Sequence, residues 1–181
     1  MKKFELTAEF VTNVFGKKLF RIKALVAFGD VEKGELGGFI EKEDNLSHDG
    51  NAWVYGNAWV YGNAQVYGDA RVYGDAQVYG NAQVYGDARV YGNAQVYGNA
   101  QVSGDADYAA VAGFGRYSRT TTFFRCKDKI LRVQCGCFYG DLAQFREIVK
   151  KTHGDSKYAK EYLAIADLME LHFSDECGGE Q

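Results

Sequence analysis

From Gly50 the chain repeats itself every six residues, and that period constrains the fold more than any other feature. Gly50-Asn51-Ala52-Trp53-Val54-Tyr55 is followed by Gly56-Asn57-Ala58-Trp59-Val60-Tyr61, and the unit runs on to Gly98-Asn99-Ala100-Gln101-Val102-Ser103. These nine hexads keep fixed slots: Gly, Asn or Asp, Ala, a free position, Val and, in all but the last, Tyr. Six is not a helical period, and a glycine at every sixth position would cost an α-helix ~1 kcal/mol each time. Six is even, so strand alternation survives from unit to unit. Ala and Val point to one side, the free slot and Tyr to the other. Gly followed by Asn or Asp supplies a corner, because these residues tolerate positive φ. A short strand and a sharp corner, repeated, wind into a coil with three flat sides. Nine hexads then make three coils, a prism only ~14 Å tall at the spacing of stacked strands.

Composition bears this out. Eight of the 13 tyrosines and ten of the 22 glycines sit in repeat slots, and there is no proline. Within the coils proline is excluded because nearly every backbone N–H is wanted by a neighbouring strand. The prism's interior is thin and its two ends would be exposed sheet edges. The flanks are therefore expected to cap it, and a flat side to pack on another chain as a dimer or trimer. The expected organisation is an N-terminal β cap over residues 1–43, the repeat over 44–108, and a C-terminal α+β module over 109–181. An imperfect hexad, Asp44-Asn45-Leu46-Ser47-His48-Asp49, precedes the nine and places His48 in the Val slot, satisfied by Asp44 or Asp49. A degraded one, Gly104-Asp105-Ala106-Asp107-Tyr108-Ala109, follows them.

The slot pattern resembles the hexapeptide repeat of the left-handed parallel β-helix, with Val as the aliphatic residue and Ala, four residues on, as the small one. The resemblance implies a mainly β chain and left-handed coiling. Residues three hexads apart then stack in columns. Tyr55, Tyr73 and Tyr91 form one outward column, and Tyr61, Tyr79 and Tyr97 another. Tyr67 and Tyr85 start a third that ends on Ser103. Trp53 heads the column of Arg71 and Arg89, and Trp59 that of Gln77 and Gln95. Asp69 and Asp87 stack beside the arginines, which are expected to offset their repulsion. The tyrosine columns with Trp53 and Trp59 form flat aromatic sides, suited to shielding the backbone ladders, to subunit packing or to sugar stacking.

In the N-terminal flank, Phe10-Val11-Thr12 and Leu19-Phe20-Arg21-Ile22 read as strands turning at Phe15-Gly16-Lys17-Lys18, with Gly29-Asp30 and Gly37-Gly38 as breakers. In the C-terminal flank, Thr120 to Arg125 and Ile130 to Cys135 form a hairpin. Asp141 caps a helix stopped by Gly154, leaving His153 at its C-terminal end, and a second helix runs from about Ser156 to Phe173. The tail from Ser174 to Gln181 is expected to fray.

The net charge of −3 argues against a dedicated nucleic-acid binder. No apolar run approaches the ~20 residues of a spanning helix, and Phe4 to Glu9 is no signal-peptide core. The four cysteines then read as reduced thiols and the expected compartment is the cytoplasm. No metal site, cofactor or catalytic residue is assigned. Hexapeptide acyltransferases use a catalytic His near a loop that interrupts the coils, and the hexads here contain neither. The γ-type carbonic anhydrases need several His around zinc, whereas this chain has three, far apart: His48, His153 and His172. Cys126, Cys135 and Cys137 are too few for a usual zinc set. The segment from Gly113 to Thr122 has the residue types an anion needs: Arg116, Ser118, Arg119, Thr120, Thr121 and Thr122 among glycines. Residues 111–155 carry nine Lys/Arg against four Asp/Glu. A phosphorylated or nucleotide ligand is the expected occupant.

Phe4-Glu5-Leu6-Thr7, Leu19 to Leu25, Gly34 to Glu41 and Asn45-Leu46-Ser47, running into the hexads, resemble a family of small hexapeptide-repeat proteins of phages, prophages and their bacterial hosts. Thr120-Thr121-Thr122-Phe123-Phe124-Arg125, Cys135-Gly136-Cys137-Phe138 and Thr152-His153-Gly154-Asp155 are similar to a module recurring among them. The resemblance implies a fold and no established activity. The function expected is non-catalytic: a factor that binds or sequesters a host protein or a phosphorylated ligand. An acyltransferase and an oligomerising scaffold are the alternatives.

Overall fold

The computed structural model of the chain describes residues 1–104 and 107–174. Asp105 and Ala106 of the degraded hexad, and the tail beyond Ser174, lie outside the described residues. The protein is mainly β, a three-sided solenoid of about four turns followed by a small antiparallel sheet and two helices. Among the described residues no helix is long and apolar enough to cross a membrane.

Each hexad forms a two-residue strand: β4 (Trp53–Val54), β5 (Trp59–Val60), β6 (Gln65–Val66), β7 (Arg71–Val72), β8 (Gln77–Val78), β9 (Gln83–Val84), β10 (Arg89–Val90), β11 (Gln95–Val96) and β12 (Gln101–Val102). The corner glycines Gly50 to Gly98 hold φ between 58° and 73°, where a Cβ would be strained. Every Ala and Val of the nine hexads is 0% exposed, so the inward slots are as the alternation requires. The sides are β4-β7-β10, β5-β8-β11 and β6-β9-β12, all parallel and in register. The ladder is polar. Trp53 N–H donates to Ala70 O (3.0 Å), Tyr55 N–H to Val72 O (2.7 Å), and Gln77 N–H to Ala94 O (2.9 Å). Each coil thus donates to the one after it, leaving the first coil with unpaired carbonyls and the last with unpaired N–H groups.

The N-terminal flank covers the carbonyl end. β1 (Phe4–Thr12), β2 (Lys18–Ala24) and β3 (Leu36–Ile40) form an antiparallel sheet whose last strand joins the β5 side in parallel. Phe39 N–H donates to Ala58 O (2.9 Å), Glu41 N–H to Val60 O (3.1 Å) and Ser47 N–H to Val66 O (2.9 Å). At the three corners side chains do the same work. Lys3 Nζ donates to Ala52 O (2.9 Å) and Gly50 O (3.3 Å). Arg21 Nη1 reaches Gly56 O (3.4 Å) and Gly37 O (2.8 Å). Asn45 Nδ2 donates to Ala64 O (2.8 Å) and Gly62 O (3.2 Å). Burial pushes the Lys3 ammonium down to about 8, against the pull of Asp49 and Asp69.

Three expectations for this flank are corrected. Gly37 and Gly38 do not break the chain but lie inside β3. A Cβ on Gly37 would stand 2.6 Å from Val54 O, and one on Gly38 2.6 Å from Ala58 O, so glycine is there for close approach. The first strand begins at Phe4, earlier than Phe10. The Val slot of the imperfect coil is filled by Leu46, which bridges to Val66. His48 instead stacks on Phe4 with ring centroids 4.3 Å apart. Its Nδ1 accepts the Lys3 N–H (3.2 Å), and its Nε2 lies 3.8 Å from Glu43 rather than against Asp44 or Asp49.

The C-terminal module covers the N–H end. β13 (Tyr108–Phe114), β14 (Arg119–Arg125), β15 (Leu131–Cys135) and β16 (Phe138–Asp141) form an antiparallel sheet in chain order, two strands more than the expected hairpin. Thr122 Oγ1 accepts the Gln95 N–H (3.1 Å), Asp107 Oδ2 accepts the Ser103 N–H (3.0 Å), and Ala100 bridges to Cys126. Helices α1 (Leu142–His153) and α2 (Lys157–His172) pack on the sheet's other face around Phe123, Phe145, Tyr162 and Ile165. Asp141 caps α1 in a reciprocal box with Gln144, Gly154 ends it, and Ser156 caps α2.

If the corner donors hold the carbonyl end, Asn45→Leu should lower the unfolding free energy by about 2 kcal/mol, since the buried Ala64 carbonyl and the part-buried Gly62 carbonyl lose their partner. Asn63→Leu, on the exposed Asn63–Asn81 rung, should change it by less than ~0.5 kcal/mol. Urea denaturation checks this, and equal losses would contradict the capping role.

Candidate functional site

The segment from Gly113 to Thr122 divides into an exposed turn and a buried strand. β13 and β14 meet at residues 115–118, with Gly113, Gly115 and Ser118 at φ of 88°, 73° and 48°. Tyr117 is 65% exposed at the tip. The Arg116 and Arg119 guanidiniums lie 5.6 and 4.9 Å from its ring centroid, within cation–π range. Neither arginine has a carboxylate within ion-pair distance among the described residues. Tyr117, Ser118, Arg119 and Thr120 line a cleft of about 440 Å³ with Asn93, Gln95 and Gly136. Two backbone N–H groups of the turn are already engaged: Gly115 N–H donates to Glu161 Oε2 (2.9 Å) and Ser118 N–H to Gly115 O (3.4 Å).

Thr121 and Thr122 do not join this group. Both are 1% exposed, because β14 is sandwiched between the last coil and the helices. Alternation sends Thr122 and Phe124 toward the solenoid, Thr121 and Phe123 toward the helices. Thr122 accepts from Gln95 N–H, and Thr121 Oγ1 donates to Cys135 Sγ (3.2 Å). Their hydroxyls are therefore structural, while Thr120, half-buried, stays at the cleft.

The aromatic sides also differ from the expectation. Trp53 is fully buried, edge-on to Phe28 (5.3 Å) and Phe4 (6.2 Å), because the flank folds over the outward slots of the first coil. Trp59 is half-buried, and Tyr61 is buried with Leu19 and Phe39. The Tyr61–Tyr79–Tyr97 column stacks at 4.9 and 4.8 Å with planes 1° apart and continues onto Tyr139 (4.3 Å), so both its ends are covered. Tyr67 stacks on Tyr85 (5.1 Å) and Tyr73 on Tyr91 (5.5 Å). Rings stacked along the solenoid axis use faces on each other, which leaves less ring face free along the columns.

The expected pairing of Arg71 and Arg89 with the Asp69 and Asp87 column is replaced. Asp69 accepts from Asn51 Nδ2 (2.8 Å), and Arg71 Nη1 donates to Asp30 Oδ2 (2.9 Å), a residue read from sequence only as part of a breaker. Tyr55 donates its hydroxyl to the other Asp30 oxygen (3.2 Å). Partial burial and the Asp30 charge raise the Tyr55 phenol to about 12. Of the thiols, Cys126 is buried and raised by burial, Cys135 lies 3.9 Å from Tyr162 Oη, and Cys137 is exposed. Among the described residues no group of three or more His, Cys, Asp or Glu stands together as a metal site.

A family model described as the YdcK beta solenoid repeat matches residues 64–80 and 82–98, each about one coil long. The chain is thus similar to a β-solenoid repeat over the middle of its hexads. No curated protein matches it.

Burial raises the phenols of Tyr61, Tyr79 and Tyr97, and those of Tyr139 and Tyr162 to about 12. An unfolded tyrosine ionises near ~10. Above that pH the native chain retains protons that the unfolded chain releases. The stability from these phenols is present below pH ~10 and falls as pH rises toward the native values. The phenolate absorbance of these five tyrosines should therefore appear only with unfolding, so the native protein's absorbance rise near pH ~10 should fall short of that in urea. Coincident titrations would contradict the stacked, desolvated columns.

Proposed function

We propose that the chain is a non-catalytic binding protein in which the capped solenoid is a rigid mount for the β13–β14 turn, and that the turn takes a phosphorylated group. The group belongs to a small ligand, a nucleotide or a host protein that the chain sequesters in the cytoplasm. The observation that carries this reading is the pair of guanidiniums, Arg116 and Arg119, held over the exposed Tyr117 ring beside an open cleft. Planar guanidiniums suit phosphate because they donate two N–H groups to two oxygens at once. Ser118 and Thr120 supply hydroxyls at the same cleft. With the Gly115 N–H turned to Glu161, side chains rather than a backbone cradle hold the anion.

A second reading, a homo-oligomeric scaffold, draws on the Tyr67–Tyr85 pair, whose rings stack only on each other among the described residues. It concerns another side of the solenoid and can hold together with the first.

Titration calorimetry with inorganic phosphate and with a nucleoside monophosphate tests the turn. Charge-assisted hydrogen bonds are worth ~1.5–3 kcal/mol, so Arg116→Ala and Arg119→Ala should each weaken binding about tenfold or more, and binding should weaken with salt. Equal affinity in the double variant, or no binding by the native chain, overturns the reading.

A further inference from the structure

A solenoid repeats any site built across two of its coils, and on the β4-β7-β10 side the chain shows what one such site accepts. Gly29-Asp30 forms the tip of a tight turn closed by Phe28 N–H to Val31 O (3.1 Å) and Val31 N–H to Phe28 O (2.9 Å). Phe28 is packed on Trp53, so the tip is held over the first coil. There Asp30 meets the Tyr55 hydroxyl from one coil and the Arg71 guanidinium from the next. Strands β7 and β10 pair with Arg71 opposite Arg89. The next turn of the repeat therefore puts Tyr73 in the place of Tyr55 and Arg89 in the place of Arg71.

The Gly29-Asp30 turn is not itself repeated. No carboxylate of the described residues lies within ion-pair distance of Arg89, which is exposed. Like charges directly opposite on neighbouring strands repel, and Asp30 neutralises only one of the two guanidiniums. Arg89 also lies where two clefts meet. One, of about 340 Å³, is lined by Asp30, Tyr55, Arg71, Tyr73 and Arg89. The other, of about 470 Å³, continues from Arg89 past Tyr91 and Tyr108 to His172.

We propose that Tyr73 and Arg89 bind a carboxylate presented by an acidic segment of a partner protein, in the manner in which Tyr55 and Arg71 hold Asp30. The groove is longer than one carboxylate needs, and its far end carries His172, which fits an extended acidic chain better than a free small acid. The site is separate from the β13–β14 turn and stands or falls without it.

Fluorescence anisotropy with a labelled peptide of alternating Gly and Asp, and with its Gly-Asn counterpart, tests the assignment. Glutamine already occupies the Arg89 slot in the neighbouring hexads, at Gln83 and Gln95, so Arg89→Gln should leave the fold intact, as circular dichroism can verify. The Asp peptide is expected to bind and the Asn peptide not. Arg89→Gln should weaken binding about tenfold or more, and Tyr73→Phe by less. Asp30→Asn should strengthen it by freeing Arg71, and Arg119→Ala should leave it unchanged. Equal binding of the Asn peptide, or indifference to Arg89→Gln, overturns the site. Loss on Arg119→Ala assigns the peptide to the turn instead and also overturns it. Acetate competing at the peptide's own concentration removes the peptide from the proposal. No binding by either the native chain or Asp30→Asn overturns it entirely.

Discussion

Every coil of this solenoid gives its N–H groups to the carbonyls of the coil that follows, so the stack has a carbonyl end and an N–H end. An unpaired buried backbone group costs as much as a lost hydrogen bond, and a stack this short has a large share of its backbone at its ends. The rest of the chain is arranged around that requirement. β3 and Ser47 answer the carbonyls along two sides, while Lys3, Arg21 and Asn45 answer the three corners. Thr122, Asp107 and the Cys126 bridge answer N–H groups and strand edge at the other end. The same caps complete the apolar interior: Phe4, Ile22 and Leu46 close it at one end, Tyr108 and Phe124 at the other.

Much of the solenoid was legible because its physics is local and periodic. A six-residue repeat with alternating slots places Val and Ala inside with no further information, and the helix caps at Asp141 and Ser156 follow from side chains a few residues away. What stayed hidden depends on contacts between distant segments. Trp53 shares a slot with Arg71 and Arg89, yet it is buried because Phe4 and Phe28 of the N-terminal flank fold over it. Gly37 and Gly38 read as breakers until Val54 O and Ala58 O are seen pressed against them. Thr121 and Thr122 read as ligands because nothing local shows that β14 is covered on both faces. His48 was placed by counting six residues, and the count fails where the first coil is entered through the short helix at Glu43–Asn45.

The candidate sites follow the same division. The repeat is uniform, so it carries little specificity by itself. Specific chemistry arises where a non-repeating element meets it. Asp30 touches one copy of a Tyr–Arg pair and so makes its neighbour distinct. The β13–β14 turn stands out from the end of the stack with Arg116 and Arg119 over Tyr117. Exposed ion pairs of the Asp30–Arg71 kind contribute little to stability, so such positions are free to serve recognition.

The central claim is that the flanks close both ends of the hydrogen-bond ladder, and amide hydrogen exchange tests it most directly. The account predicts that the first and last coils, reported at Tyr55, Trp59, Gln95 and Ser103, exchange about as slowly as the middle coil at Gln77 and Gln83. Protection that is high in the middle and falls away toward either end would mean a frayed stack with open edges, and would contradict it.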